Sequence, residues 1–127
     1  MSASARATGL GKYVYYGGED GRFVGVNRID QDFVELYLHK AGEPRRSVFA
    51  ITAPGDRGNK LRSDNYDPRR RPWYEAAARQ TQPVWSPVYS EFTSGEPTIT
   101  FAKALYRADR RLAGGVATDI TLTALTD

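Results

Sequence analysis

A chain of 127 residues, 40% hydrophobic and 26% charged, has the size and composition of one globular domain with a real core. Eighteen Lys and Arg against fifteen Asp and Glu give a net charge of +3, with acids and bases interleaved, which argues against a nucleic-acid binder. The absence of cysteine excludes a disulfide framework and thiolate chemistry, and no apolar run is long enough to span a membrane.

Residues 1–12 are small and polar and read as a disordered or appended N-terminus, leaving 13–127 as a single module. Two β-prone runs, 13–16 and 22–26, flank a Gly/Glu/Asp cluster and predict a hairpin. Residues 33–39 alternate, with Val34, Leu36 and Leu38 on one face and Phe33, Glu35, Tyr37 and His39 on the other, solvated one. A turn at 41–44 leads to a strand over 46–52. Gly, Asp, Asn and Ser make 54–65 read as a loop.

Asp67-Pro68 is an N-cap followed by proline at a first helical position, and predicts a helix over about 68–79. Residues 84–92 are extended with a bend at Pro87, which would put Trp85, Tyr89 and Glu91 on one face if the strand ran straight. Residues 98–106 and 111–118 form a hairpin. On its second strand Ala113, Gly115, Ala117 and Asp119 share a face, a carboxylate beside small side chains that leave room for a ligand. Residues 121–127 read as the start of a helix. The expected fold is α+β, about seven antiparallel strands with one flanking helix.

The stretch Tyr66-Asp67-Pro68-Arg69-Arg70-Arg71-Pro72-Trp73-Tyr74 concentrates guanidinium groups and aromatic donors. Such groups grip a carboxylate through paired hydrogen bonds. Successive helical residues point about 100° apart, so one arginine of the three can face a ligand while Arg69 and Arg70 stay solvated or paired to surface acids. Each residue has a plainer reading: Arg71 in a structural ion pair, Trp73 as core, Glu91 as an exposed strand residue, Asp119 as the cap of the last helix.

Tyr66-x4-Arg71-x-Trp73-Tyr74, Tyr89 fifteen residues later, and Asp119 in Gly-Gly-Val-Ala-Thr-Asp-Ile resemble the extracellular double Cache sensor domains, specifically the membrane-distal module of the amino-acid-binding branch. The resemblance implies a PAS-like antiparallel sheet, here without the long N-terminal helix of such receptors. The sequence holds no Ser-His-Asp set, metal cluster or phosphate loop and a single histidine, so no enzymatic activity, cofactor or metal is expected. The resemblance assigns a ligand carboxylate to Tyr66, Arg71 and Trp73, and a ligand ammonium to Tyr74, Tyr89 and Asp119. Glu91 stands where a further family acid is expected, with a longer reach. The implied setting is the periplasmic or extracellular part of a bacterial transmembrane receptor, with a small-molecule partner and scope for a homodimer. Sensing of another small amine or carboxylate, or a PAS-like dimerisation module without ligand, are the alternatives, with a nucleic-acid-binding domain behind them.

Overall fold

The computed structural model describes residues 11–53 and 55–122. Nine strands form one antiparallel sheet: β1 Tyr13–Gly18, β2 Phe23–Arg28, β3 Val34–His39, β4 Arg46–Ala53, β5 Asp56–Asp64, β6 Val84–Trp85, β7 Tyr89–Ser90, β8 Pro97–Tyr106 and β9 Leu112–Thr121. Their spatial order is β5-β4-β3-β2-β1-β9-β8-β6, with β7 also paired to β8. One α-helix, α1, spans Pro72–Ala78. The chain leaves the sheet at the β5 edge and re-enters at the β6 edge, so the segment between must cross one face. That face is the inner one, where Tyr15, Phe23, Tyr37, Val48, Tyr66 and Trp73 form the buried cluster. The outer face presents Val14, Val24, Val26 and Val116.

The β1–β2 hairpin forms as predicted. Its turn closes through Gly18 N–H to the Arg22 carbonyl and Gly21 N–H to the Gly18 carbonyl, with Gly21 at φ 92°, a conformation that favours glycine. The β8–β9 hairpin also follows the sequence. Three expectations are corrected: the loop at 56–64, the buried face of β3 and the unbroken helix over 68–79.

Residues 56–64 are an edge strand, not loop: pairing to β4 is by backbone, and a strand exposed along most of its length needs few apolar side chains. On β3 the buried residues are Glu35 and Tyr37, while Val34, Leu36 and Leu38 are half-exposed. The aromatic and acidic face is therefore the inner one, because it borders a cleft. At the C-terminus, Thr121 ends β9; residues 123–127, like residues 1–10, lie outside the described residues. The bend at Pro87 separates β6 from β7, so Trp85 packs on Phe101 while Tyr89 hydrogen-bonds Thr100.

The expected helix over 68–79 is divided. Asp67 accepts from the Arg69 backbone N–H at 3.0 Å and caps a 3₁₀ turn, Pro68–Arg70, whereas α1 begins only at Pro72. Between them Arg71 is extended at φ −92°, ψ 146°. The cause is Pro72, whose ring disfavours helical geometry in the residue before it. This break sets the direction of the Arg71 side chain.

The crossing segment seats on glycines. A Cβ at Gly17 would lie 2.5 Å from Pro68 Cβ and 3.2 Å from the Trp73 ring. Pro68 and Trp73 are both buried and have nowhere to move. Gly17→Ala is therefore expected to cost ~1–3 kcal/mol by overpacking, read as a melting temperature lower by ~5–10 °C in circular dichroism.

Candidate functional site

Asp119 stands on the inner face of β9, 8% exposed, at the floor of a cleft of about 590 Å³. The Tyr15 hydroxyl and Thr100 Oγ1, the latter at 2.8 Å, both donate to Asp119 Oδ1. Because Thr100 has a single proton and gives it to Asp119, the 2.5 Å contact between Thr100 and Tyr89 is a donation from the Tyr89 hydroxyl. Among the described residues no donor reaches Oδ2 and no cation pairs with this carboxylate. Burial raises its pKa from 3.8 to about 6; the hydroxyls of Tyr15 and Thr100 oppose the rise, Glu91 adds to it, and Arg71 opposes it weakly.

Arg71 lies against the ring of Tyr89 and is not among the residues that line this cleft. Its Nη2 donates to the Ser90 carbonyl at 2.9 Å, and its guanidinium lies 5.5 Å from the Tyr89 ring centroid and 5.4 Å from that of Phe92. It has no carboxylate partner among the described residues. Tyr89 thus touches the cation with its ring and the anion, through Thr100, with its hydroxyl. Tyr66 packs edge-on against Phe92 and accepts from Trp73 Nε1 at 2.9 Å, which leaves its own proton to give. Beneath it lies buried Arg46, 4.0 Å from the Tyr66 ring and paired to Asp64 through two hydrogen bonds.

The structure therefore brings Arg71, Tyr89 and Asp119 together, with Tyr66 alongside. Glu91 also borders the cleft, its Oε1 held by the backbone amides of Thr93 and Ser94 in the β7–β8 turn. Trp73 and Tyr74 sit elsewhere. The Trp73 indole fills the strip of small residues on β9: a Cβ at Gly115 would come within 3.1 Å of it, so that strip makes room for core, not for a ligand. Tyr74 gives its hydroxyl to Glu19 at 2.6 Å beside a separate surface concavity. Asp119 lies within β9 and caps no helix among the described residues. Arg69 pairs with Asp67 and Arg70 is solvated, as expected for these two arginines.

Sequence reasoning passed over Tyr15, Thr100, Glu35 and Arg62. The signal for the first two was present: Tyr15 shares the inner face of β1 with Tyr13, and Thr100 pairs directly with Asp119 across the β8–β9 hairpin.

Residues 28–127 match the family described as "Methyl-accepting chemotaxis protein-like, first PDC sensor domain". The chain belongs to that family. The sheet with its crossing helix is the PAS-like, Cache-type fold of this PDC sensor domain. Over 65 residues, half of the chain, it is 38% identical to the chemotaxis protein McpC of Bacillus subtilis, of which that stretch is 10%. The ligand-binding domain of the Pseudomonas fluorescens chemoreceptor CtaA, solved with L-valine, superposes with a TM-score of 0.57 at 23% identity, covering 96% of this chain and 41% of that one. The domain of Pseudomonas aeruginosa PctB, solved with L-Arg, gives 0.53 at 26% identity, covering 89% and 35%. This PDC domain thus spans less than half the length of those solved domains, and a tenth of McpC.

Proposed function

We propose that this sensor domain binds a free α-amino acid, with Arg71 and Tyr66 on the carboxylate and Asp119, Tyr89 and Glu91 around the ammonium. One observation carries the reading. A cation and a buried anion face the same tyrosine, and among the described residues neither has an ionic partner. Leaving a buried charge unpaired costs several kcal/mol, so a pair of opposite charges held apart is matched by a zwitterion. Trp73 acts through Tyr66, whose hydroxyl it orients; Tyr74 steadies the β1–β2 turn through Glu19. The amino-acid ligands of the CtaA and PctB domains agree with this chemistry. In the intact protein the domain is the periplasmic or extracellular input of a membrane-anchored receptor and performs no catalysis; no helix among the described residues is long and apolar enough to cross a membrane.

The test is a melting-shift panel of amino acids, amines and carboxylates. A ligand at a hundred times its dissociation constant adds about 2.7 kcal/mol. Amino acids should shift the melt, and their decarboxylated or deaminated analogues should not. The same panel has a pH signature. An ammonium pairs with ionised Asp119, so affinity is level above pH 6 and falls as pH drops below about 6, approaching tenfold per unit. Affinity unchanged from pH 7 to pH 5 by titration calorimetry would remove Asp119 from the ammonium site.

A further inference from the structure

From Asp119 the cleft follows a single row of side chains. Continuing the β1–β9 register by one step sets Tyr13 opposite Asp119; Tyr13 pairs with Asn27, and Asn27 with Glu35. Directly paired residues share a face, and all four border the cleft. Asp119 and Glu35 are therefore three strand spacings apart, about 14 Å between backbones.

Glu35 is 6% exposed and heavily bonded. Tyr37 donates to its Oε1 at 2.5 Å, Arg62 Nη2 to Oε1 at 2.9 Å and Arg62 Nη1 to Oε2 at 3.0 Å. An ionised carboxylate has about four acceptor positions, so one on Oε2 is left. Charge balance along the cleft permits a cationic donor there. Glu35, Glu91, Glu96 and Asp119 face Lys12 and Arg62. With Arg62 committed to Glu35, and Asp119 and Glu91 to the ammonium, Glu96 and Lys12 balance, so no surplus positive charge in the cleft opposes a cation. The Tyr13 ring borders the cleft and can attract a cation, whereas the buried Tyr37 ring already carries the Arg46 guanidinium at 4.8 Å. Ile29 is the one aliphatic side chain in this lining among the described residues.

Resting on the amino-acid reading above, we propose that the far end is a subsite for a cationic side chain, and that the domain selects basic amino acids. Extended arginine spans about 7 Å from ammonium nitrogen to guanidinium carbon by bond lengths. A hydrogen bond of about 2.9 Å at either end brings that near the distance between the two carboxylates' strands. Glu35 and the Asn27 amide oxygen accept from the guanidinium, and Tyr37 holds Glu35 in place.

Titration calorimetry with L-arginine, L-citrulline, L-norvaline and L-glutamate tests this on the chain as it stands. Citrulline keeps the shape of arginine and loses the charge; norvaline keeps only the zwitterion. Arginine should bind at least about tenfold tighter than citrulline or norvaline, as a buried charge pair requires, with glutamate weakest. Glu35→Gln should reduce the arginine advantage to under about threefold while leaving norvaline unchanged, and Asn27→Asp should enlarge it. Citrulline or norvaline binding as tightly as arginine, or Glu35→Gln weakening all four ligands alike, overturns the subsite while leaving the amino-acid reading in place. Binding of none of the four overturns both.

Discussion

The Asp119→Asn variant is expected to lose amino-acid binding by about two to three orders of magnitude, the cost of removing one partner of a buried charge pair. Without ligand it is expected to be the more stable protein. Both effects follow from one geometry. Tyr15 and Thr100 donate to the same oxygen, Oδ1, so the amide oxygen of asparagine can keep both bonds. What is lost is a charge that burial disfavours. A pKa raised on folding from 3.8 to about 6 means that the folded state binds the proton more tightly than the unfolded state. Stability from this group therefore rises as pH falls through 6 and is complete below about 4; at neutral pH the charge destabilises by up to ~3 kcal/mol. Glu35, whose pKa is lowered chiefly by its bond to Arg62, works in the opposite sense, and its contribution is lost only as pH falls below 4.5. Between pH 7 and 4.5 the ligand-free parent should gain stability on acidification, and Asp119→Asn should lack that gain. Urea midpoints across that window measure it. A variant that neither gains stability nor loses binding would mean that Asp119 is ordinary core.

The readings from sequence succeeded where period or spacing carried the information. Helical geometry said only that the three arginines could not all face one ligand, and the family resemblance picked Arg71; the three do diverge, although the cause is the extended residue that Pro72 enforces. The β3 phase was misread for an instructive reason. A face bearing Glu35 and Tyr37 is polar by composition, but here polarity marks the wall of a cleft on the inner side, and the apolar set lies half-exposed on the outer side. Edge strand β5 was invisible because backbone pairing alone holds most of it. The small residues of β9 were rightly seen as a gap but assigned to a ligand; which bulky group enters such a gap depends on where a crossing segment 40 residues away is seated, and Trp73 takes it.

Arg46 is the residue whose conservative replacement should hurt most, although in sequence it is half of an unremarkable Arg-Arg pair. It is 1% exposed, with Nε and Nη2 on the Asp64 carboxylate at 3.0 and 2.8 Å. Rings of Tyr66, Tyr37 and Phe23 surround it at 4.0, 4.8 and 4.9 Å. The third nitrogen, Nη1, is buried without a hydrogen-bond partner among the described residues, so ring faces are what offset its desolvation. A lysine ammonium is a compact, strongly hydrated point charge that cannot make the two-pronged bond or stack flat on Tyr66. Arg46→Lys is therefore expected to destabilise by ~2–4 kcal/mol. Asp64 also accepts from the Tyr66 backbone N–H at 3.2 Å, so the change should loosen Tyr66 and weaken ligand binding without touching the ligand. Arg69 supplies the control. It holds Asp67 through the same two nitrogens at 2.9 and 3.0 Å, but its side chain is 45% exposed. Arg69→Lys should cost under about 1 kcal/mol, as surface ion pairs do. Denaturation midpoints for the two variants separate burial from bond geometry: equal losses would show that the aromatic enclosure of Arg46 contributes nothing, and a large loss at Arg46 alone would show that enclosure holds the site together.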